Sequence, residues 1–448
     1  MSIRLRAFPA VCLFLAGGAA GSGAEAVVAA PHPADSIAAV REATFVEVWQ
    51  TVNDAYFDPG FGGVDWNKVR EKYRAQLDRV TTGAELRGLL QAMLGELHRS
   101  HFAILAREAA VFQPSERTRV GTVGAQLAYG DSKVMVVRSG DGSPASLEGL
   151  APGDTIEAVD GYDLSAIRRY LAEGGMSERQ QAFALTDFVN RRLQSAAGTK
   201  VGLKVGDAAG RVREMSLTCA PQAGLWSEPV GNFPSMPVEI ESRRSPDGNA
   251  YLRFSVFTPQ LMKDIKAFLV GMKEGEGLIL DLCGNPGGVT LMAPGICGWL
   301  SRTEFSLGTM HLRQGFLAYN VFPQAHAFLG PVAVLIDGRS ASTSELLAAG
   351  LQEAHRARVF GETSVGAALP SSFKTLPSGD IFQYAMAEIQ TTSGRSIEGQ
   401  GVRPDETILL TQGDLAAHRD PVLTAAETWL NGARGKRTPP AGPPAPLP

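Results

Sequence analysis

VAVLIDGRSASTSELLAAGLQ, residues 332–352, reads as a buried strand, a turn and a helix in one stretch. Residues 331–337 are almost continuously apolar, as expected of a strand covered on both faces. Gly338 permits a sharp turn, and residues 344–354 carry a helical pattern. Where such a turn feeds a helix, backbone N–H groups and the positive end of the helix dipole converge. A serine at that point, Ser342, can attack a carbonyl whose developing oxyanion meets donors already in place. Ser342 and Glu345 also have capping-box spacing, so the serine has a purely structural reading as a helix start.

The pattern around this stretch is α/β. Residues 277–282 form a second continuous apolar strand that runs into Gly284-Asn285-Pro286-Gly287-Gly288. Paired glycines let backbone N–H groups face a ligand, although taken alone they mark only a turn. Residues 251–257 alternate like a strand, and Leu261, Ile265, Phe268, Leu269 and Met272 share a helical face. A further strand is expected over 382–391 and a last helix over 421–430.

Upstream the character changes twice. Residues 36–106 are helical: Val40, Phe45, Val48, Val52 and Tyr56 follow helical spacing, and Asp58-Pro59-Gly60 breaks it. A second amphipathic stretch covers 66–77. Thr81 or Thr82 can cap a third helix carrying Leu86, Leu90, Met93, Leu94 and Leu97, which ends at Arg99-Ser100-His101. Residues 119–207 show short strands at 134–137 and 155–159 between Gly-rich turns, with a short helix at 145–150. A strand at 212–219 precedes a Pro-rich passage to 245, readable as a linker or as a loop facing substrate.

The 448 residues carry a formal net charge of -4, with 44% apolar and 20% charged residues. This balance is that of a soluble globular chain and argues against nucleic acid and against an anionic membrane surface as partners. Arg4 and Arg6, the apolar run at 10–16 and Ala24-Glu25-Ala26 read as a cleavable export signal over 1–26. The expected mature protein is periplasmic or secreted and has no membrane span. Cys219, Cys283 and Cys297 cannot make a disulfide framework, although a Cys283–Cys297 bridge stays open. There is no CxxC or HExxH, and nothing argues for a metal or a cofactor. Residues 433–448 are a Pro-rich tail.

Several passages together resemble the carboxy-terminal processing (tail-specific) protease and tricorn-core protease family. They are GLILDLCGNPGG at 277–288, residues 332–352, VFGETSVG at 359–366, SIEGQGVRPD at 396–405, FDPGFGGVDW at 57–66 and LLQAMLGELHRSH at 89–101. The run GSPASLEGLAPGDTIEAVDG within 121–161 looks like a PDZ domain. The resemblance implies a crotonase-like (ClpP-type) spiral α/β core at 245–432, an N-terminal helical region at 36–110 and an inserted PDZ-like domain at 119–207. It implies a serine peptidase acting on peptides or proteins, with Ser342 as nucleophile. The backbone N–H groups of Thr343 and of Gly288 or Gly287 would form the oxyanion hole. The loop Gly121-Thr122-Val123-Gly124 would receive a peptide end by strand addition.

One departure matters. Tail-specific members place a lysine just after a G-E-x-x-x-G stretch, and here Ala367 follows Gly361 to Gly366. The tricorn-like branch uses a serine–histidine pair and a glutamate instead, which match Ser100, His101 and Glu398. His101 would then be the base, with Ser100 and Glu398 orienting it. Lys374 is the alternative base. Two rival readings remain: a PDZ-containing pseudoprotease that binds peptides without cleaving them, and a carrier of a small lipophilic ligand.

Overall fold

The computed structural model describes residues 37–434 except 108, 109, 112, 174, 175, 231 and 232. The expected export signal, and the tail beyond residue 434, lie outside the described residues.

Three helices open the described chain: α1 (Ile37–Ala55), α2 (Trp66–Arg74) and α3 (Gly83–Gly95). The periodic face of α1 is buried at Phe45, Val48, Trp49 and Val52. Each of Trp49 and Trp66 donates its indole N–H to the other's carbonyl, at 3.0 and 3.2 Å, which locks α1 onto α2. Thr82, not Thr81, caps α3: its hydroxyl accepts from the Glu85 N–H at 3.2 Å, and the Glu85 carboxylate accepts from the Thr82 N–H at 3.1 Å. The chain then turns through His98 and His101, both at positive φ, into the short strand β1 (Ala103–Leu105). β1 pairs antiparallel with residues 381–383, a partner almost three hundred positions away. The helical cluster also buries Leu369, Leu376, Phe382 and Ala385, so the N-terminal helices share one hydrophobic core with the later chain.

A separate core is built wholly from residues between Val123 and Cys219. Its antiparallel sheet runs β2 (Ala125–Gly130), β3 (Lys133–Ser139), β4 (Thr155–Val159), β5 (Lys200–Gly206) and β6 (Val212–Thr218) in spatial order. β6 pairs with β5 along its whole length, so this sheet reaches Thr218, past residue 207. Two helices cover the sheet: α4 (Leu164–Glu173), burying Leu164, Ile167 and Leu171, and α5 (Glu178–Leu193), burying Leu185, Val189 and Leu193. Both buried sets follow helical spacing in the sequence. β2 is an edge strand flanked by α5.

The largest core surrounds a six-stranded sheet. β7 (Ile240–Arg244) pairs antiparallel with β8 (Ala250–Phe254) at one edge. Beyond β8 the order is parallel: β9 (Leu278–Asp281), then residues 332–336, 358–361 and 406–407. Helix α6 (Met262–Val270) connects β8 to β9. A hairpin of β10 (Phe305–Leu312) and β11 (Phe316–Val321), not read from the sequence, precedes β12 (Val332–Ile336). Then follow α7 (Thr343–Glu353), β13 (Arg358–Gly361) and β14 (Ser371–Thr375). The single strand expected over 382–391 is two, β15 (Ile381–Ala385) and β16 (Ala387–Gln390). The chain changes sheets at Met386, whose N–H bonds to the Pro370 carbonyl at 2.9 Å. β17 (Glu406–Thr407) and α8 (Pro421–Ala433) complete the core.

The Pro-rich passage is a strap: Phe233 is buried with Ala110, Phe373 and Ile381 against β14 and β15. Cys219, Cys283 and Cys297 are free thiols, so the Cys283–Cys297 bridge is not formed.

Candidate active site

Ser342 stands at the junction of β12 and α7 with φ 56° and ψ -115°. A non-glycine residue holds such a conformation only where its surroundings dictate it. The Ser342 N–H donates to the Ala367 carbonyl at 3.0 Å and to Glu345 Oε2 at 2.9 Å. The capping reading is therefore half realised: Glu345 reaches back to the serine, but the serine hydroxyl caps nothing. Ser342 Oγ is buried and has no hydrogen-bond partner.

Glycine is needed opposite this serine. A Cβ on Gly287, at φ 98°, would lie 2.7 Å from Ser342 Cβ and 2.8 Å from the Thr343 nitrogen. A Cβ on Gly288 would lie 2.2 Å from the Phe257 carbonyl oxygen. The Gly287 N–H is already spent on Asn285 Oδ1 at 2.9 Å. The N–H groups of Gly288 and Thr343 have no acceptor among the described residues. The pair suited to an oxyanion is therefore Gly288 with Thr343, and Gly287 serves as the close-packed turn.

His101 is completely buried, and its ring is tied at one end only. Nδ1 lies 2.7 Å from Ser100 Oγ, which donates to Glu398 Oε2 at 2.9 Å. Because that hydroxyl's proton goes to the carboxylate, Nδ1 carries the ring proton and Nε2 is left as the acceptor, a tautomer inferred from partners. His101 Nε2 has no partner. Glu398 also accepts from the Ser100 N–H at 2.8 Å and the Ala368 N–H at 3.0 Å. Burial pushes the Glu398 carboxyl up, and these donors pull it back. Burial alone drives the His101 imidazole down to about 3, so at neutral pH it is uncharged. Ser342 Oγ and His101 Nε2 are not hydrogen-bonded to each other. The Ala367–Ala368 segment links the two halves: the Ala367 carbonyl accepts from the Ser342 N–H and the Ala368 N–H donates to Glu398, which holds Ser100 and through it His101.

Glu345 is the partner that motif reading missed. Its carboxylate is fully buried and accepts from four donors: Ser364 Oγ at 2.5 Å and the N–H groups of Gly366 at 2.7 Å, Ala367 at 3.1 Å and Ser342 at 2.9 Å. It pins the turn where a dyad lysine would sit against the loop that holds the serine. Burial raises this carboxyl to about 7, with the Glu398 charge adding to the effect. Its spacing from Ser342 was visible in the sequence, but only as a capping box.

Other candidates fall elsewhere. Lys374 lies on β14, paired with Glu47 and facing Thr51 of α1, and is not placed to serve Ser342. His98 is exposed. In the loop Gly121-Thr122-Val123-Gly124 three N–H groups are already used: Gly121 bonds to the Ser195 carbonyl and Val123 to the Leu193 carbonyl, both at 2.9 Å, and Gly124 to Thr122 Oγ1 at 2.9 Å. That loop has little left with which to hold a peptide carboxylate.

The site is enclosed. Phe183 of α5 and Val365 pack on Ala341 and Ala367, the neighbours of the serine and of the turn beside it. Arg179 of α5 donates to the carbonyls of Gly399 and Gln400, next to Glu398. A helix from the 123–219 unit thus closes over both halves of the site.

Residues 248–408 match the model of peptidase family S41, and residues 38–95 match that of the tricorn protease C1 domain. The chain is 25% identical over 398 residues to a carboxyl-terminal-processing protease of Synechocystis sp., covering 86% of each chain. It is 28% identical to a chloroplastic C-terminal processing peptidase of Tetradesmus obliquus, covering 84% of this chain and 79% of the relative. The solved photosystem II D1 C-terminal processing protease shares the α/β fold with a TM-score of 0.57 at 24% identity, over 83% of this chain and 93% of that one. With a family S41 match over the core and a tricorn C1 match upstream of it, this chain is similar to the serine peptidases of the carboxyl-terminal-processing and tricorn group, and the matches support a serine-type peptidase.

Proposed function

We propose that the chain is an exported peptidase that cleaves peptide bonds of peptides or proteins through an acyl-enzyme on Ser342. Ser342 Oγ attacks the scissile carbonyl while its proton passes to His101 Nε2. The oxyanion is taken by the Gly288 and Thr343 N–H groups. The leaving amine recovers the proton from His101, and water then hydrolyses the ester by the same route reversed. Ser100 and Glu398 fix the imidazole tautomer and stabilise its charged form. The observation that supports this reading is the presence of two buried open valences. The chain Glu398–Ser100–His101 ends at an unpartnered Nε2, and the buried serine ends at an unpartnered Oγ.

The proposed architecture is a crotonase-like core with a PDZ-like unit that holds a peptide end. The parallel order of β8, β9, β12 and β13 supports the first. The antiparallel 123–219 sheet, with α5 along its edge strand, supports the second. Export rests on the character of residues 1–26.

A serine-directed fluorophosphonate tests the central step: wild type becomes labelled and Ser342→Ala does not. Equal labelling of the two overturns the assignment. The enclosure of Ser342 and the missing lysine favour one second reading, a peptide binder without turnover. Absence of both labelling and hydrolysis in wild type that still binds peptide would select it.

A further inference from the structure

The two N–H groups suited to an oxyanion sit on different loops: Gly288 on the Gly-rich turn after β9, and Thr343 at the first position of α7. Their separation is therefore set by tertiary contacts. Two neighbouring hydroxyls at the start of α7 cross from the serine loop to the turn. Ser344 Oγ donates to the Asn285 carbonyl at 3.0 Å, and Thr343 Oγ1 donates to the Gly288 carbonyl at 2.9 Å. Both side chains are completely buried. A buried hydroxyl without a partner is costly, so neither bond is given up freely.

The two bonds are not equivalent. The Asn285 carbonyl also accepts from the Ala341 N–H at 3.1 Å, so the start of the turn is held twice. Among the described residues the Gly288 carbonyl has one hydrogen bond, the one from Thr343. The end of the turn is otherwise tied to Phe257: the Phe257 N–H donates to the Gly287 carbonyl at 2.7 Å, and the Val289 N–H donates to the Phe257 carbonyl at 2.8 Å. Those ties fix Gly288 against the segment that follows β8, not against the serine loop. Gly287 and Gly288, at φ 98° and 135°, have no side chains to wedge the turn in place. The Thr343 bond closes a short ring. One residue supplies an oxyanion N–H from its backbone, and its side chain grips the carbonyl of the residue that supplies the other.

We propose that the Thr343 hydroxyl is a positioning group for the oxyanion hole, setting the gap between the Gly288 and Thr343 donors so that both reach one oxygen. This rests on the peptidase reading above and adds to it a part for a side chain, where that reading uses only the Thr343 backbone. Donors aimed at a developing charge stabilise it only when they converge on it. Loosening the gap therefore weakens stabilisation of the transition state and leaves ground-state binding alone. Serine in place of Thr343 keeps the hydroxyl and loses a methyl. Valine keeps the shape but loses the donor, which leaves the buried Gly288 carbonyl without its hydrogen bond.

The test follows fluorophosphonate labelling of the full chain over time at several probe concentrations, which separates reversible binding from bond formation. In the second step the Ser342 Oγ–P bond forms and the P–F bond breaks. Fluoride leaves, the serine proton passes to His101, and the phosphoryl oxygen lies between the two donors. Wild type is compared with Thr343→Val, Thr343→Ala, Thr343→Ser and Ser344→Ala, each checked for intact folding by thermal melting. Removing an oxyanion donor outright costs about 10²–10³-fold, so misplacing one is expected to slow bond formation in Thr343→Val by about 10- to 100-fold, with reversible binding unchanged. Thr343→Ser recovers most of that loss, and Thr343→Ala serves if the valine variant does not fold. Ser344→Ala also removes a buried hydrogen bond and lowers the melting temperature, but slows bond formation much less. Wild-type rates in both Thr343→Val and Thr343→Ala overturn the inference, as does a Thr343→Ser variant as slow as the valine one. Equal slowing by Ser344→Ala overturns it too, since the effect is then a general loosening of the loops. In all of these the peptidase reading stands as long as labelling depends on Ser342. Absence of labelling in wild type, or equal labelling of Ser342→Ala, removes that reading and this inference with it.

Discussion

Ser342 combines three costs: a backbone conformation at φ 56°, complete burial, and a hydroxyl with no partner. The strain is on the order of 1–3 kcal/mol, and a buried unsatisfied hydroxyl costs about as much again. Stability is being given up at the residue proposed as the nucleophile. Ser342→Ala keeps the strain but deletes the orphan hydroxyl, so it should raise stability by about 1 kcal/mol. Urea denaturation measures this, and a destabilised variant would argue that the hydroxyl is bonded after all. Two buried titratable groups give opposite pH dependences. His101 binds a proton below 6.5 when unfolded but only near 3 when folded, so its contribution is complete above 6.5 and is lost as pH falls through about 3. Glu345 goes from 4.5 up to about 7 on folding, so its contribution is complete below 4.5 and is lost as pH rises through about 7. Glu345→Gln should therefore flatten the loss of stability between about pH 5 and 8 while lowering stability throughout, because its NH₂ faces N–H donors. A profile parallel to wild type would contradict the raised carboxyl.

At the scale of elements, what matters is which segments are brought together. The strand–turn–helix of β12 and α7 was legible because a continuous apolar run, a glycine and a helical pattern are all local signals. So were β9 with its Gly-Gly turn and the capped helix α3. The hydrophobic pattern did not reveal β15 and β16 as two strands, because the break at Met386 is made by a hydrogen bond to Pro370 and not by a turn residue. Nor could pattern reading find the clasp of α5 over the site. Phe183 is one aromatic on a helical face, and only tertiary packing sets it against Ala341 and Ala367. Arg339 and Arg179, which cross the same seam in opposite directions, have no motif at all. The clasp has a consequence for access, since Ser342 and His101 are both closed to solvent. Phe183→Ala removes a side chain that covers the serine's neighbours without touching Ser342, His101 or Glu398. It should raise the rate of fluorophosphonate labelling severalfold, read by gel fluorescence over time. An unchanged or slower rate would mean that α5 does not limit access.

For the whole molecule, the site is an assembly of distant segments. His101 and Ser100 come from the end of the N-terminal helices, Ser342 from the centre of the parallel sheet, and Glu398 from near its end. The helices do not stand apart: their core includes Leu369, Phe382 and Ala385, and β1 pairs directly with β15. That pairing of a three-residue strand carries His101 to the sheet, and its length and separation made it invisible to any local pattern. Resemblance to a family supplied the histidine; the packing supplies a physical reason for it to be there. The central claim is that Ser342 reacts through His101 in a chain where Ala367 replaces a lysine. Its most direct test is the rate constant of fluorophosphonate labelling in His101→Ala beside Lys374→Ala, both checked for intact folding by thermal melting. General-base assistance contributes about 10²–10⁴-fold. The account predicts a fall of that size for His101→Ala and none for Lys374→Ala. Labelling of His101→Ala at the wild-type rate would contradict it.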